Sequence, residues 1–530
     1  MSSGTPRWSD QIAVEMVNGV PYRIYTERPR RVEQLLSFGK RWGTRPHIIQ
    51  GERVVSFADL HHAVAAKVLE LGESGLQTGC RVLLLGWNSP EWVVNFWACV
   101  CAGAVPVLAN AWWSATEVAD ALTSIRPALT LADAPAAARM PAGSLVGPWA
   151  LDAAARQADD VAADGPCDEE EPAAIIFTSG TSGQPKAVVL SHRAILARLQ
   201  MTLHVTRKLP HQLDESAHDV TLVTGPLFHV GGMQTLLRAL VIGGSLVLTR
   251  GKYEPADVLE TIERHRVRRW SAVPTMVSRL LDHPDVSRRD LSTLRSISIG
   301  GAPVHKELIQ RIRERLPSVS PRIPTGYGLT ENGGQATGSA GSESIELLGS
   351  AGRPMPCVEV SFLPHPGLPD GEVLLRSPTQ MFGYFGTDES PIDAEGWLHT
   401  GDLGRLDEKG HLWITGRCKD TIIRGGENIA PAAVERALMS IPGVAEAVVF
   451  GVPHADLGEE VMAVVVVARD LTSGHLAEEL RRNVASFSVP SRWRIQQEPL
   501  PTNPAGKVDR ATISARMRAE VAQGRAMAGA

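Results

Sequence analysis

Strand-like apolar runs alternate with helix-periodic segments along most of this chain, and this alternation constrains its fold more than any other feature. The helical periodicity is clearest in FADLHHAVAAKVLELG, which follows the N-cap candidate Ser56, and in VHKELIQRIRERL. The apolar runs are short segments bounded by turn residues, namely RVLLLGW (81–87), GAVPVLA (103–109), AAIIFTS (173–179), SLVLTR (245–250) and LRSISIG (294–300). Strands that alternate with helices predict an α/β fold with layered, largely parallel sheets.

The length of the chain and a restart of the pattern predict two domains. A chain of 530 residues exceeds what one hydrophobic core usually supports. After TGRCKD (415–420) the pattern restarts as a strand, a Gly-Gly turn and a helix near Pro431, and then a strand, a helix and a strand. This unit has about a hundred residues, the size of a small domain. We predict a large N-terminal domain of layered α/β sheets over residues 1–416 and a small C-terminal α+β domain over residues 417–530.

Charge and cysteine content exclude several classes of function. A formal net charge of -5 and a pI near 6.4 give no indication of a nucleic-acid or membrane-surface partner. The six cysteines form no C-x-x-C pair and have no histidines at metal-ligand spacing, which predicts a reduced, cytoplasmic protein. Residues 1–30 contain no apolar core of a signal peptide, so no secretion signal is expected.

One stretch, Trp92–Trp113, is long and uncharged enough to cross a membrane. Asn95 and Asn110 lie inside this stretch, and Gly103 and Pro106 interrupt it. We interpret it as a buried helix, a turn and a short buried strand, so the sequence predicts no membrane span.

Two segments of low complexity are interpreted as connections. Residues 140–172 are rich in Ala, Asp, Gly and Pro and include the acidic run Asp168–Glu171, which predicts a solvated linker. The stretch GGQATGSAGSES (333–344) predicts a mobile loop beside a site.

The stretch TSGTSGQPKA (178–187) has the composition of a phosphate-binding loop. It does not fit the P-loop, because Ala187 replaces the metal-binding hydroxyl and the chain continues as the strand-like AVVL, whereas a P-loop opens a helix. The next helix starts only after Ser191. We predict a strand-to-strand loop whose hydroxyls, amides and Lys186 close over a polyphosphate. Taken alone, the stretch is equally consistent with a surface turn and a solvated lysine.

Four further segments combine turn residues with groups that could bind a ring, a phosphate, Mg²⁺ or hydroxyls. They are GGAPV (300–304), PTGYGLTE (324–331), HTGDLGRLDEKGHLWITGR (399–417) and PTNPAGKVDR (501–510). Tyr327 offers an aromatic face for a ring, Thr330 a hydroxyl for a phosphate and Glu331 a carboxylate for Mg²⁺. Asp402 is suited to accept ribose hydroxyls, and Lys507 lies in a Pro/Gly turn. Each segment alone is also consistent with an ordinary turn.

Together and in this order, the five segments closely resemble those of the adenylate-forming superfamily. That superfamily contains acyl- and aryl-CoA synthetases, firefly luciferases and the adenylation domains of peptide synthetases. The resemblance extends from about Ser56 to Arg510. It implies an AMP-forming acyl-CoA ligase, similar to fatty-acid–CoA ligases, that uses ATP, Mg²⁺ and coenzyme A. Such an enzyme forms an acyl-adenylate and pyrophosphate, and a thiol displaces AMP after the mobile C-terminal domain has rotated.

The resemblance also implies roles for individual residues. Those implied for the triphosphate are Thr178, Ser179, Gly180, Thr181, Ser182, Gly183 and Lys186, and those for the adenine are Gly301, Ala302, Pro303, Thr325 and Tyr327. Those implied for catalysis, metal and ribose are Thr330 at the α-phosphate, Glu331 at Mg²⁺, Asp402 and Arg417 at the ribose, and Lys507 between the acyl carboxylate and the α-phosphate. The acyl pocket would be gated by His229 and lined by Gly231, Gly232, Gly300 and Gly326. Lys419 would be the hinge, and Gly425 and Gly426 would line the CoA tunnel.

The chain departs from the superfamily pattern at three places. Ala187 stands where a glycine is usual, Ser182 replaces a threonine but keeps the hydroxyl, and Phe487-Ser488 replaces a common Tyr-Lys pair. None of these changes removes a catalytic group. They leave open a chain specialised for thioester formation from a supplied acyl-adenylate.

The segment FHVGGM limits the class of acid. Peptide-synthetase domains hold the ammonium of an amino acid with an aspartate there, and this chain has no carboxylate in the segment. A buried ammonium without a partner would cost roughly 3–5 kcal/mol, so amino acids are disfavoured. The glycines implied for the pocket favour a bulky apolar carboxylic acid, whether long-chain, aryl or polycyclic.

Several alternatives to the CoA ligase are kept. An acyl-adenylate ligase that loads a carrier protein is the nearest, and a luciferase-type oxygenase is less favoured. A non-catalytic nucleotide-binding regulator is disfavoured because such a module has no need of Lys507. A kinase is disfavoured because no H-R-D or D-F-G segment occurs. A homodimer is left open.

Overall fold

The computed structural model describes most of the chain. The described residues are 7–150, 168–178, 185–216, 218–249, 251, 253–301, 304, 306–339, 341, 343–425, 427–454, 456–503 and 506–522. Within them, the predicted α/β class with largely parallel sheets is confirmed, because two large sheets are interleaved with helices.

A seven-stranded sheet contains four of the predicted strands. Its strands, in spatial order, are Gly383–Tyr384, Lys186–Ser191, Pro172–Thr178, Val105–Ala109, Arg81–Leu85, Leu129–Ala132 and Val146–Gly147. The last five are mutually parallel, whereas Lys186–Ser191 pairs antiparallel with both of its neighbours. The strand predicted after the phosphate-type loop is therefore present.

A nine-stranded sheet forms the second large layer. Its strands, in spatial order, are Arg353–Pro354, Gly334–Ser339, Thr325–Leu329, Ser296–Ile299, Arg269–Ala272, Val220–Val223, Ser245–Leu248, Pro46–Gln50 and Arg53–Ser56. The central strands are parallel and both edges turn back antiparallel.

Helices lie between and outside the two sheets, so the large domain has five layers. The helices of eight residues or more are Phe57–Glu73, Pro90–Cys101, Ala115–Ile125, His192–Val205, Val230–Ile242, Pro255–Arg264, Pro274–Asp282, Lys306–Arg315, Pro431–Met439, Ser473–Arg481 and Arg510–Ala522. Alternate strand residues face opposite layers. Leu84 and Leu246 join the central core between the sheets, whereas Leu83 and Val247 pack under outer helices.

Serine caps explain where several helices begin. Ser56 accepts a hydrogen bond from the Asp59 amide while the Asp59 carboxylate accepts from the Ser56 amide, a capping box. Ser191 caps His192–Val205 in the predicted way, through the amide of Ala194. Substituting such a cap by alanine typically costs about 1 kcal/mol.

Two smaller sheets precede the C-terminal domain. The strands Ile12–Val17 and Val20–Tyr25 form a hairpin. A four-stranded antiparallel sheet follows the large layers, and its strands are Glu359–Leu363, Gly371–Arg376, Leu398–Leu406 and Leu412–Arg417. The chain then passes through the short turn Cys418–Asp420 into a different sheet.

The C-terminal domain has its own sheet and core. Its strands are Glu427–Ile429, Ile422–Arg424, Gly458–Val467, Val444–His454 and Arg492–Gln496, the last pairing parallel with Gly458–Val467. The sequence pattern predicted one strand followed by a helix there, but the valine-rich segment Gly458–Val467 is a second strand that forms a long hairpin with Val444–His454. The chain changes sheet after Arg417, and the domain limit at residues 416 and 417 stays a prediction.

The stretch Trp92–Trp113 folds as predicted. The helix Pro90–Cys101 is buried almost throughout, and after a turn the buried strand Val105–Ala109 follows. Across the described residues, no helix combines the length and apolar character that a membrane crossing needs.

Two predicted connections differ from the structure in the parts that it describes, and residues 151–167 of the predicted linker lie outside those parts. Within the stretch 333–344, Gly334–Ser339 is a strand that pairs with Thr325–Leu329, because glycines let the two backbones approach closely. The acidic run is not simply solvated: Glu169 pairs with Arg28 and Arg30, and Glu170 and Glu171 also pair with arginines. Composition predicted solvation because the partners come from distant segments.

Candidate active site

A tyrosine, an aspartate and an arginine from three strands form the best-defined polar cluster. Asp402 and Arg417 are register partners on neighbouring antiparallel strands. The Tyr327 hydroxyl donates to Asp402 Oδ2 at 2.7 Å, and Arg417 Nε lies 2.9 Å from Asp402 Oδ1. Burial, with the Asp402 charge, raises the pKa of Tyr327 well above its usual value, so the hydroxyl stays a donor. Each oxygen of Asp402 keeps a free lone pair, which suits a vicinal diol.

A second cluster joins the strand after the phosphate-type loop to Glu331. Glu331 lies in the turn Thr330–Asn332, and the Tyr384 hydroxyl donates to its Oε1 at 3.0 Å. Lys186 Nζ lies 4.6 Å from the centroid of the Tyr384 ring and 3.8 Å from Glu389. Burial and then the Glu331 charge raise the pKa of Tyr384. Tyr384 therefore contacts both Lys186, which is predicted to bind phosphate, and Glu331, which is predicted to bind Mg²⁺.

Thr178 and Lys186 frame the base of that loop. They are register partners on adjacent strands, and Thr178 Oγ1 donates to the Lys186 carbonyl at 3.4 Å. The predicted residues Ser179, Gly180, Thr181, Ser182 and Gly183 between them lie outside the described residues.

Lys507 of the C-terminal domain reaches into the large domain. Its turn is closed by a bond from the Asn503 amide to the Lys507 carbonyl at 2.7 Å. Thr275 of the large domain donates its hydroxyl to the Gly506 carbonyl. A Cβ on Gly301 would lie 3.1 Å from Lys507 Cε and 3.5 Å from Nζ, so the ammonium lies against bare backbone. Gly301, with φ of +79°, leaves room for this approach.

The electrostatics of Lys507 link three predicted residues. Burial and then the Arg417 charge lower the pKa of Lys507. Burial and then the Lys507 charge lower the pKa of His229 to about 4, so the imidazole is neutral at physiological pH. The structure thus places Lys507 against Gly301, close enough to His229 and Arg417 for their charges to interact.

His229 begins the helix Val230–Ile242 and is positioned by aromatic contacts. Its ring lies 4.8 Å from the Phe228 ring, which lies 5.4 Å from Trp112. Asn88 holds the preceding turn, because its amide donates to the Gly225 carbonyl and its carbonyl accepts from the Leu227 amide, both at 2.8 Å.

The four glycines predicted for the acyl pocket divide into two kinds. A Cβ on Gly231 or Gly300 would meet no atom within 4 Å. A Cβ on Gly232 would overlap the Pro226 carbonyl, and one on Gly326 would collide with the Thr337 carbonyl and the Gln335 amide. Gly231 and Gly300 therefore face open space, whereas Gly232 and Gly326 allow close backbone packing.

Of the remaining predicted residues, some lie near the clusters described above and others do not. Thr325 Oγ1 lies 2.8 Å from Ser339 Oγ, and Thr330 starts the turn that carries Glu331. Lys419 lies in the turn between the two domains, where burial lowers its pKa. Gly425, with φ of +57°, donates its amide to the Leu457 carbonyl within the C-terminal domain. The predicted residues Ala302, Pro303 and Gly426 lie outside the described residues.

The donor set fits Mg²⁺ held largely by a phosphate ligand. Among the described residues, no group of three or more His, Cys, Asp or Glu side chains could hold a metal ion. Glu331 offers one carboxylate whose second oxygen is not used by Tyr384. Mg²⁺ commonly takes one or two carboxylates and completes its shell with phosphate oxygens and water, so the site suits it.

Sequence reasoning did not single out Tyr384 or Asn88. Tyr384 comes from a two-residue strand far from any motif, although an aromatic residue flanked by glycine was a usable signal. Asn88 follows the strand Arg81–Leu85, and only the tertiary structure brings it to the turn before His229.

Comparison with known proteins gives one consistent picture. The family model described as "AMP-binding enzyme" matches residues 37–385, and that of "AMP-binding enzyme C-terminal domain" matches residues 433–507. The chain is 34% identical over 497 residues to the 3-[(3aS,4S,7aS)-7a-methyl-1,5-dioxo-octahydro-1H-inden-4-yl]propanoyl:CoA ligase of Mycobacterium tuberculosis, covering 87% of this chain and 94% of that protein. It is 32% identical over 480 residues to the feruloyl-CoA synthase of an Amycolatopsis species, with coverage of 87% and 94%. The o-succinylbenzoate CoA synthetase of Bacillus subtilis, solved with its acyl-adenylate intermediate, aligns with a TM-score of 0.76 at 27% identity, over 90% of this chain and 97% of that one.

Proposed function

Since this chain belongs to the family of AMP-binding enzymes, we propose that it is an ATP-dependent acyl-CoA ligase for a bulky, largely apolar carboxylic acid. The enzyme is an AMP-forming acid–thiol ligase that uses ATP, Mg²⁺ and CoA. Insertion of Lys507 into the large domain, against Gly301 and beside His229 and Arg417, supports this function most directly. A binding module would gain nothing from a cation held against Gly301 at that point.

In the first half-reaction a carboxylate oxygen of the acid attacks the α-phosphorus of ATP. The bond to the β-phosphate breaks, pyrophosphate leaves, and an acyl-adenylate remains. Negative charge develops on phosphate oxygens, so the protein contributes by positioning cations and donors before the reaction. Lys507 is suited to contact both the acid carboxylate and the α-phosphate.

The nucleotide would be oriented by groups whose geometry is already set. Asp402, fixed by Tyr327 and Arg417, would accept the ribose hydroxyls. Lys186 and Thr178 would approach the outer phosphates from the base of the loop. Glu331, oriented by Tyr384, would hold Mg²⁺, which neutralises phosphate charge when bound.

The second half-reaction needs different residues of the C-terminal domain next to the acyl-adenylate. The thiol of CoA attacks the acyl carbonyl, the bond to the AMP phosphate breaks, and the thioester and AMP are released. We infer that the C-terminal domain turns about Lys419, withdraws Lys507 and brings Gly425 and Gly426 to the thiol path. The different sheets that precede and follow this turn allow rigid-body motion.

The class of acid rests on the open space at Gly231 and Gly300 and on the neutral His229 gate. Neither glycine has a neighbour within 4 Å of its Cβ position, so the space in front of them can receive bulk. The relatives named above act on polycyclic and aryl acids, which supports the same class here.

Pyrophosphate release with MgATP tests the function directly. The assay takes a panel of long-chain, aryl and polycyclic acids, with and without CoA, and the Lys507→Ala variant is the control. CoA-stimulated release that is lost in the variant is expected. Release without CoA consumption, with transfer to a carrier-protein thiol, would instead identify an acyl-adenylate ligase. Failure of every acid, with thioester formed from synthetic acyl-adenylates, would reduce the function to the second half-reaction.

We also infer that the enzyme acts in the cytoplasm, on small molecules and without nucleic acid. The cysteines described by the structure are free, and Cys99 and Cys357 are buried, which supports a reducing compartment. Assembly as a homodimer remains a prediction, which light scattering of the purified protein tests.

A further inference from the structure

Arg198 is a buried arginine without a carboxylate partner among the residues that the structure describes. It lies on the helix His192–Val205 and is only 6% exposed. Its Nη2 donates to Gln335 Oε1 at 2.9 Å and its Nη1 contacts the Thr202 hydroxyl. Its Nε is buried and has no hydrogen-bond partner in the described part of the chain. A guanidinium keeps its charge at neutral pH, so an unused donor here is costly.

The unused Nε lies beside Gly334 and Val230, next to the segment that carries His229 and Gly231. It lies 3.7 Å from the position of a Cβ on Gly334, and the Val230 methyl carbon Cγ2 lies 3.6 Å from the same position. Val230 directly follows His229, the predicted gate. The next residue, Gly231, is exposed and faces open space. Arg198 therefore lies behind the surface that an acyl group would meet after it passes His229.

Two glutamines extend the polarity of this wall. Gln335 accepts from Arg198, and its Nε2 lies 2.6 Å from the Cβ position of Gly326, another predicted pocket glycine. Gln234 donates to the Ile195 carbonyl at 3.2 Å, one helical turn before Arg198, and its Oε1 is buried with no partner among the described residues. A pocket for a plain hydrocarbon tail has no use for these groups, because each unpaired polar atom lowers stability.

We propose that Arg198 and Gln335 form a polar far end of the acyl pocket, and that the preferred acid carries a second oxygen acceptor, a ketone or a carboxylate, distant from the reacting carboxylate. The inference rests on the proposed function and names a substrate feature for the same site. The body of the acid packs against apolar and glycine surface, and a shift of the Val230 or Gln335 side chain lets its distal oxygen accept from Arg198 Nε, which is buried when no acid is bound. The uncompensated charge of Arg198 favours a carboxylate over a ketone.

Matched triples of acids test this assignment. Each triple shares one linear or aryl-propanoic skeleton and consists of the unsubstituted acid, a distal keto acid and a distal dicarboxylic acid. The readouts are kcat/KM for the thioester and, independently, Kd from calorimetry with the acid alone. Wild type should favour the oxygenated acids by about 10- to 100-fold, the range of one charge-assisted hydrogen bond.

Arg198→Met should abolish that preference and leave the unsubstituted acid bound as well or better. Arg198→Lys keeps a charge but loses the planar donor geometry, so a partial preference is expected. Arg313→Met, at an exposed position of another helix, is the matched control and should retain the preference. If Arg198→Met does not fold, the comparison rests on Arg198→Lys and Gln335→Leu.

The proposal is overturned if wild type treats the three acids alike, or if Arg198→Met changes binding of all three by the same factor. Either result would mean that Arg198 is structural and solvated by trapped water. Unsubstituted acids converted to thioesters, with no effect of Arg198→Met on selectivity, would refute this inference alone. Acids that bind selectively but yield no pyrophosphate would refute the ligase function while supporting the polar subsite.

Discussion

Lys507 combines two properties that oppose each other. The proposed reaction needs its positive charge, whereas partial burial and then the Arg417 charge lower its pKa. The cation is therefore less stable before the substrates bind than after the phosphates of ATP arrive. Lys507 therefore stabilises the transition state, in which negative charge develops, more than it stabilises the free enzyme.

Replacing Lys507 by alanine should separate the half-reactions. Adenylation should fall by about 10²- to 10³-fold, because one preorganised charge contact to the transition state is lost. Thioester formation from synthetic acyl-adenylate and CoA should be almost unchanged. Stopped-flow measurement of pyrophosphate release and chromatography of the thioester distinguish the two. Equal loss in both steps would contradict a role confined to adenylation.

The pH profile gives a second test of the same residue, with Lys507→Arg as its control. Only protonated Lys507 is active, so kcat/KM for adenylation should decline at alkaline pH. Because the pKa is lowered, the decline should begin below the ordinary lysine value of 10.5. Arginine keeps its charge throughout, so any activity in Lys507→Arg should lack this decline. An identical alkaline decline in the variant would assign it to another group.

At the scale of elements, the first turn of the helix Val230–Ile242 offers a matched pair of glycines. Gly231→Ala should fold with an unchanged or slightly higher Tm, because alanine favours the helix and meets open space. It should raise KM most for the bulkiest acids. Gly232→Ala should lower Tm markedly, because its Cβ would overlap the Pro226 carbonyl. Differential scanning fluorimetry and the acid panel measure both effects. Equal acid selectivity in Gly231→Ala and wild type would remove Gly231 from the pocket.

The elements that carry a periodic apolar signal were predictable from the sequence, and those built by close backbone approach were not. The strands Arg81–Leu85 and Ser296–Ile299 and the cap at Ser191 follow from pattern and propensity. Gly334–Ser339 has almost no strand propensity, yet it pairs with Thr325–Leu329 because Gly328 has no Cβ to strike the Gly334 carbonyl. Composition alone would predict a loop for a segment that contains such glycines.

The same limit applies to the site. Lys507, Asp402, Arg417 and Glu331 were predicted because each lies in a recognisable segment, although their roles stay predictions. Tyr384 and Arg198 were not predicted, because they reach the site from segments without any motif. Their contribution depends on tertiary contacts between distant parts of the chain, which a single sequence does not carry.

At the scale of the whole molecule, three histidines with lowered pKa values should make the fold sensitive to acid. Burial lowers the pKa of His47 to about 4, of His192 to about 3 and of His229 to about 4. The unfolded chain binds these protons below about pH 6.5, whereas the folded chain does not. The contribution to stability is therefore complete above about pH 6.5 and is lost as the pH falls towards the folded values.

The variant His192→Asn should weaken that dependence. His192 Nδ1 accepts from the Val32 amide at 3.0 Å, and the asparagine side-chain oxygen can accept in the same place without titrating. The thermal midpoint of wild type should fall between pH 7.5 and 5, and that of the variant should fall less. His62→Asn, at an exposed position, is the control. An unchanged pH slope in His192→Asn would show that His192 does not contribute.

A disulfide between the domains should arrest the enzyme after its first half-reaction. A Cβ on Gly506 would lie 3.5 Å from Thr275 Oγ1, so cysteines at the two positions are within reach of each other, although the φ of +78° at Gly506 strains a cysteine there. The oxidised Thr275→Cys/Gly506→Cys variant should release one equivalent of pyrophosphate per site and form no thioester. Reductant should restore thioester formation. The two single variants are controls, and continued thioester turnover in the oxidised double variant would contradict domain rotation.

The order of the site residues along the chain has a consequence for biosynthesis. Thr178, Glu331, Asp402 and Arg417 all precede the C-terminal domain, and Lys507 comes after them. Ribosomes release a chain from its N-terminus, and domains fold in that order. The nascent protein therefore folds the residues proposed to bind the nucleotide before it contains Lys507, whose ammonium is proposed to act in adenylation. On the roles proposed above, a chain still in synthesis would bind ATP before it can use ATP to adenylate an acid.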